Sequence, residues 1–166
     1  MRLLSRILFA ALGAFLFGQS AEWTQQYLQR LGGAADELRA VVGRFDEGAA
    51  ASGLSREAAV ARLKSQSDAL AARQGRDAEA TAARYAEVER RYRDLSAAAP
   101  LLRPFVALGD MDGGIAARAM DDFRPALPVT PDGLALTGLG FVAGWGTGSS
   151  LAGAARMARR RRGVAT

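Results

Sequence analysis

The 166-residue chain contains no cysteine and no histidine. Without thiols there is no disulfide framework and no cysteine nucleophile, and without imidazole the side chain that titrates nearest neutral pH is missing. Zinc fingers and the familiar His-dependent triads are thereby excluded. The expectation is a protein that is not an enzyme, with no catalytic residue, no cofactor, no metal site and no small-molecule substrate. Negative charge is missing from both ends of the chain. All 17 acidic residues lie between Glu22 and Asp132, a segment that holds 15 basic residues and is therefore at a net −2. The two ends carry Arg2, Arg6, Arg156, Arg159, Arg160, Arg161 and Arg162 and no acid, so the overall +5 is a property of the termini. These arginines flank apolar runs, which favours contact with anionic lipid and a topology role over nucleic-acid binding.

The first run, Leu3–Ala21, has one charge in 19 residues. A helix of that length, rising about 1.5 Å per residue, nearly crosses a hydrocarbon core of roughly 30 Å, provided Arg6 snorkels toward the headgroups. Its uninterrupted part, Ile7–Gly18, would also suit the apolar region of a secretory signal peptide. The A-x-A cleavage pattern is missing, however, and Gln19 spoils a cut after Ala21, so an uncleaved anchor is expected. The second run, Gly133–Ala155, is 23 consecutive uncharged residues followed by the arginine-rich tail. Thr130 is a good N-cap, Pro131 fits the first helical position, and Asp132 complements the helix dipole. Seven glycines lower the hydropathy and helix propensity of this run.

Small residues recur every four positions in both runs: Ala10, Ala14 and Gly18 in the first, and Gly140, Gly144, Gly148 and Ala152 in the second. Such stripes let helix backbones approach closely where lipid supplies no hydrophobic drive, so the two runs are expected to pack on each other or on copies of themselves. Trp145, mid-run, is expected to pack on a neighbouring helix. Positive residues at both ends favour cytoplasmic termini in a bacterial inner (plasma) membrane. The resulting division is a transmembrane helix at 1–21, a helical periplasmic domain at 22–132, a Gly-rich transmembrane helix at 133–155 and a basic cytoplasmic tail at 156–166. Trp23 and Tyr27 would then lie at the outer headgroup level.

Within the middle segment, Leu28, Leu31, Ala35, Leu38, Val42 and Phe45 follow steps of three and four, predicting a helix that continues from the membrane to about Phe45. Gly32-Gly33 suggests a bend or a close contact, and residues 47–53 read as a loop. Ser55 caps a second helix, with Val60, Leu63 and Leu70 on its seam, which Gln74-Gly75-Arg76 is expected to break. A third helix is predicted over 77–98, burying Tyr85, Val88, Tyr92 and Leu95, with Glu87–Arg91 and Glu89–Arg93 paired on its exposed side. These short seams fit a helical hairpin or small bundle, giving an all-α membrane protein overall. Past Pro100 come an irregular apolar stretch, a turn at 109–114 with an Asp cap, and a brief helix at 115–123. Asp110 and Asp112 lack the ligand spacing of a calcium loop, because Ile115 stands at the required glycine position. Pro125, Pro128 and Pro131 read as a stiff lead-in to the last helix.

The stretch Gln25-Gln26-Tyr27-Leu28-Gln29-Arg30-Leu31-Gly32-Gly33 with Asp36-Glu37, and the stretch from Asp122 to Pro131, resemble the proteobacterial membrane proteins known as domain of unknown function 2937. The resemblance implies a membrane protein with a helical insert and brings no activity with it. It marks Gln26, Tyr27, Gln29, Arg30, Asp36, Arg124 and Pro125 as a candidate interaction surface; alternatively, the two stretches pack together and brace the spans. The partners expected are the lipid bilayer and either a second copy of the chain or another envelope protein. Two further functions compete. One is an oligomeric transport or channel accessory lined by Gly140, Gly144 and Gly148. The other is a carboxylate-only hydrolase using Asp110 with Asp112, or Asp121 with Asp122.

Overall fold

The computed structural model describes residues 2–163, and the side chains of all of these except Arg2, Ala152 and 155–163. The topology arginines Arg2, Arg156, Arg159, Arg160, Arg161 and Arg162 thus have side chains outside the described residues. Among the described residues six α-helices follow one another: α1 (Arg2–Ala51), α2 (Arg56–Lys64), α3 (Ala69–Ala97), α4 (Arg103–Gly109), α5 (Gly113–Asp121) and α6 (Pro131–Gly163), with a 3-10 turn at Pro100–Leu102. There is no strand among the described residues. The chain forms two compact units. The first contains Met1–Gln26, Ala98–Leu108 and Ala119–Thr166; the second contains Tyr27–Ala97 and Gly109–Arg118.

The helix α1 outruns its predicted end at Phe45, because Ala49, Ala50 and Ala51 are strong helix formers. It stops where Gly53 takes φ +72, the Leu54 N–H bonds the Ala49 carbonyl at 3.0 Å and the Gly53 N–H bonds the Ala50 carbonyl at 2.9 Å. That pattern is a Schellman cap, so the expected loop at 47–53 shrinks to a tight turn. Gly32-Gly33 does not break the helix. Gly32 lies against the Tyr92 ring, where an added Cβ would sit 3.0 Å from Cε2.

Ser55 caps α2 as predicted, its hydroxyl accepting the Ala58 N–H at 3.2 Å. The division after it differs from expectation: α2 ends at Lys64, and α3 runs unbroken through Gln74-Gly75-Arg76. Asp68 supplies the new start, its carboxylate accepting the Leu70 N–H at 2.8 Å. Gly75 is buried, and a Cβ there would come 2.9 Å from both Leu63 Cβ and the Lys64 nitrogen. Its missing side chain lets α2 close onto α3. The core of this second unit buries Tyr27, Leu28, Leu31, Ala35 and Val42 of α1, Val88 and Leu95 of α3, and Ile115 of α5. Full burial of residues such as Leu31 and Val88 is worth about 1.5–3 kcal/mol each.

In the first unit, Thr130 begins α6 as expected, its hydroxyl accepting the Gly133 N–H at 3.2 Å. The apolar stretch after Pro100 is the 3-10 turn and α4 rather than irregular chain. The protein is all-helical, and α1 is long and apolar enough to cross a membrane. Among the described residues, α6 falls short of the same hydropathy because glycine contributes length without apolar surface.

Candidate functional site

In the first unit α1 and α6 run antiparallel in backbone contact. Gly13 faces Gly140, Phe9 and Ala10 face Gly144, and Arg6 faces Gly148. A Cβ on Gly13, Gly140 or Gly144 would fall inside the carbonyl group of the opposite helix. Ala10, Gly18, Gly140, Gly144 and Gly148 are buried and Ala14 is half-buried, while Gly18 lies against Thr137 and Pro128. Gly13 is absent from the four-residue stripe of the sequence; the working seam of α1 passes through positions 6, 10, 13 and 17 in mixed steps of three and four. Since Gly140, Gly144 and Gly148 are covered by α1, they do not line an open face for a multimeric pore.

The large apolar side chains point the other way. Leu4, Leu8, Phe15 and Leu16 of α1 are exposed, as are Leu134, Leu139 and Val142 of α6, with Val142 at 69%. The hydroxyls of α6 are satisfied within the helix: Thr137, Thr147, Ser149 and Ser150 donate to the carbonyls of Gly133, Ala143, Trp145 and Gly146 at 2.7 to 3.1 Å. Trp145 stacks on Phe141 with ring centroids 6.2 Å apart, and the Arg6 guanidinium lies 5.9 Å from its ring centroid. Thus Arg6, expected to reach for headgroups, is half-buried over an aromatic face of the opposite helix.

Where the lead-in segment meets α1, Gln19 forms a reciprocal clasp. Its Nε2 donates to the Ala126 carbonyl at 2.9 Å, and the Ala126 N–H donates to its Oε1 at 3.1 Å. The clasp borders an apolar groove of about 330 Å³ between Phe15, Gly18, Pro125, Leu127, Pro128 and Thr137. Of the predicted interaction residues, exposed Pro125 lines this groove, and Arg124 beside it is exposed. Gln19, which matters most here, shows in the sequence only as an obstacle to cleavage.

The second unit holds a knot of arginines and carboxylates. Asp112, its side chain 7% exposed, accepts the Ile115 N–H at 3.0 Å, caps α5, and pairs with Arg84 at 2.5 Å and Arg91 at 3.6 Å. Its own N–H donates to the Tyr27 hydroxyl at 2.8 Å. Asp110 receives Arg90 at 2.6 Å and Arg91 at 3.0 Å, and Arg91 also pairs with Glu87 at 2.7 Å. Burial alone would raise the pKa of Asp112, but the Ile115 N–H and the two guanidinium groups outweigh it and hold the carboxyl below its usual range. Hydrogen bonds from Arg90 and Arg91 lower Asp110 as well. The carboxylates of Asp110 and Asp112 are thereby committed to ion pairs with Arg84, Arg90 and Arg91. Burial pushes the Tyr27 hydroxyl upward.

Two expectations are corrected by this geometry. Tyr27 is 1% exposed, so it belongs neither to an interaction surface nor to an aromatic belt at the headgroups; its hydroxyl is consumed holding the Asp112 backbone. Arg91 is not on an exposed face but is 14% exposed inside the knot, and Glu89 pairs with Arg39 at 3.4 Å. The remaining surface residues behave differently from one another. Gln29 is exposed, Gln26 and Arg30 are half-buried, and Asp36 is exposed beside Arg39 at 3.2 Å. Among the described residues, no group of three or more acidic side chains is placed to hold a metal ion.

A family model described as "Protein of unknown function (DUF2937)" matches residues 1–161. No curated protein and no solved structure matches the chain.

Proposed function

This chain belongs to the DUF2937 family, and on that premise we propose that it is a non-enzymatic two-span protein of the bacterial inner (plasma) membrane. In this reading α1 and α6 cross the bilayer as an antiparallel pair. Residues 22–132 form a periplasmic helical module that engages an envelope partner or a second copy, and both termini are cytoplasmic.

The observation that carries the reading is the inversion of side-chain size across the helix pair. Glycine and alanine fill the α1–α6 contact while Leu8, Phe15, Leu139 and Val142 face outward. In water the opposite arrangement is stable, because burying large apolar side chains drives association. In lipid, close backbone packing of small residues is the available attraction. The serine and threonine hydroxyls turned back onto α6 carbonyls fit the same solvent, which offers them no partner. The low hydropathy of α6 is then the consequence of paving one face with glycine. The same contact supports a retained N-terminal helix, since cleavage after Ser20 would remove the α1 face on which α6 packs. The distribution of arginines supports cytoplasmic ends.

Alkaline phosphatase and green fluorescent protein fusions at Arg73 and after Thr166 test the topology. Phosphatase activity at Arg73 with green fluorescence after Thr166 is expected. Fluorescence at Arg73 would reject it.

A further inference from the structure

The inversion of side-chain size extends to a third element of the first unit. The 3-10 turn at Pro100–Leu102 packs against α6, and α4 continues directly from it. Here again the small residues face inward: Pro104 and Ala107 are buried, while Leu101, Leu102, Phe105 and Leu108 are exposed, Leu108 at 67%. Leu127 and Val129, in the segment that enters α6, are exposed too. The apolar helical stretch Pro100–Gly109 is ten residues, half of the roughly 20 needed to span hydrocarbon. Its one charge is Arg103, whose Nε donates to the Ala98 carbonyl at 3.2 Å.

We propose that the face formed by Leu101, Leu102, Phe105 and Leu108 is immersed in the lipid interface, as a half-inserted anchor beside α6. This rests on the proposed membrane placement of α1 and α6 and adds a third contact to it. The occupant is lipid rather than protein because the exposed side chains on this face carry no hydrogen-bonding group, whereas protein interfaces use about one hydrogen bond per 100–200 Å². A charged residue at the end of α4 limits the depth. Asp110, immediately after α4, is held ionised by Arg90 and Arg91, so the chain leaves the apolar layer within a residue of Gly109. Interfacial helices bury one face about 5–10 Å into the headgroup and acyl boundary, a depth that suits one or two turns.

Because the chain has no cysteine, single labels can be placed at will. Phe105→Cys, Leu102→Cys, Val142→Cys and Arg73→Cys proteins would each carry an environment-sensitive nitrobenzoxadiazole label in vesicles of phosphatidylethanolamine and phosphatidylglycerol. The vesicles would be made with and without bromine on the acyl chains. The labels at 105 and 102 are expected to emit to the blue of that at 73. They should be quenched more by bromine near the headgroup than by bromine deep in the chain, with the reverse order at 142. Using two sites guards against one substitution disturbing the fold. Quenching at 142 without quenching at 105 and 102 overturns the inference and leaves the two-span reading standing. A blue shift at 105 and 102 without quenching means protein covers the face and also overturns it. No quenching at any site overturns both.

Discussion

Gly144 and Gly146 lie two residues apart on α6, and alanine at each should have opposite effects. At Gly144 the added methyl meets only backbone: the Phe9 carbonyl and Ala10 Cα at 2.9 Å. No rotamer change can relieve that overlap, so α1 must retreat and the Gly13–Gly140 contact opens with it. Overpacking of this kind costs about 1–3 kcal/mol, which moves the folding equilibrium by roughly 5- to 150-fold. At Gly146 nothing lies within 4 Å, and alanine should instead add up to ~1 kcal/mol of helix propensity. The assay is titration of sodium dodecyl sulfate into dodecyl maltoside micelles holding the full chain. It would be read by Trp145 emission in a Trp23→Phe background, since Trp145 packs beside Arg6 of the opposite helix. Gly144→Ala should unfold at lower denaturing detergent than the parent, and Gly146→Ala at equal or higher. Matching midpoints for the two variants would show that the α1–α6 contact is not the one described, and the lipid argument would lose its footing.

Asp112→Asn keeps a capping oxygen for Ile115 but removes the charge facing Arg84 and Arg91. A loss of about 1–3 kcal/mol is expected by urea denaturation followed by circular dichroism, less than the ~3–5 of a fully buried pair because Arg84 is 40% exposed. Tyr27→Phe strands the buried Asp112 N–H and should cost about 1–3 kcal/mol in the same experiment; a neutral result would refute the role given to that hydroxyl. Asp110 and Asp112 have folded pKa values below their unfolded ones, so their stabilisation is complete above about pH 5 and is lost as pH falls through the folded values. Melting temperatures measured down to pH 3 should therefore fall in the parent, and less steeply in the Asp110→Asn, Asp112→Asn double variant; parallel acid limbs would contradict this. Gly75→Val should separate α2 from α3 and expose the Ser65–Asp68 turn to trypsin at Arg62 and Lys64, whereas an unchanged digestion pattern would show that Gly75 is not a contact.

The elements legible in the sequence are those whose local chemistry is self-sufficient. Ser55 and Thr130 read as caps because a hydroxyl satisfies the first helical amides within three residues. The seam positions Leu28, Leu31, Ala35, Val88 and Leu95 read as core because period and burial coincide. The features hidden from the sequence depend on partners distant along the chain. Gly75 resembles a breaker by propensity, yet its neighbour across α2 makes it a close-contact site. Asp110 and Asp112 look like a solvated turn, and only the guanidinium groups of α3 turn them into a knot. The absence of histidine and cysteine is plain from composition and excludes the chemistry that depends on them. Gln19 has no local signal, since its partner is 107 residues away.

That separation bears on how the protein is made. The Gln19–Ala126 clasp and the contacts of Gly13 with Gly140 and of Phe9 with Gly144 join segments that lie far apart along the chain. During translation α1 therefore emerges with its small-residue face unmatched until the residues of α6 follow. Loss of the chain after Ala126 would leave that face uncovered. Forms truncated before α6 should thus be cut by protease more readily than the chain that carries it, because closing of the α1–α6 contact is what covers those small residues.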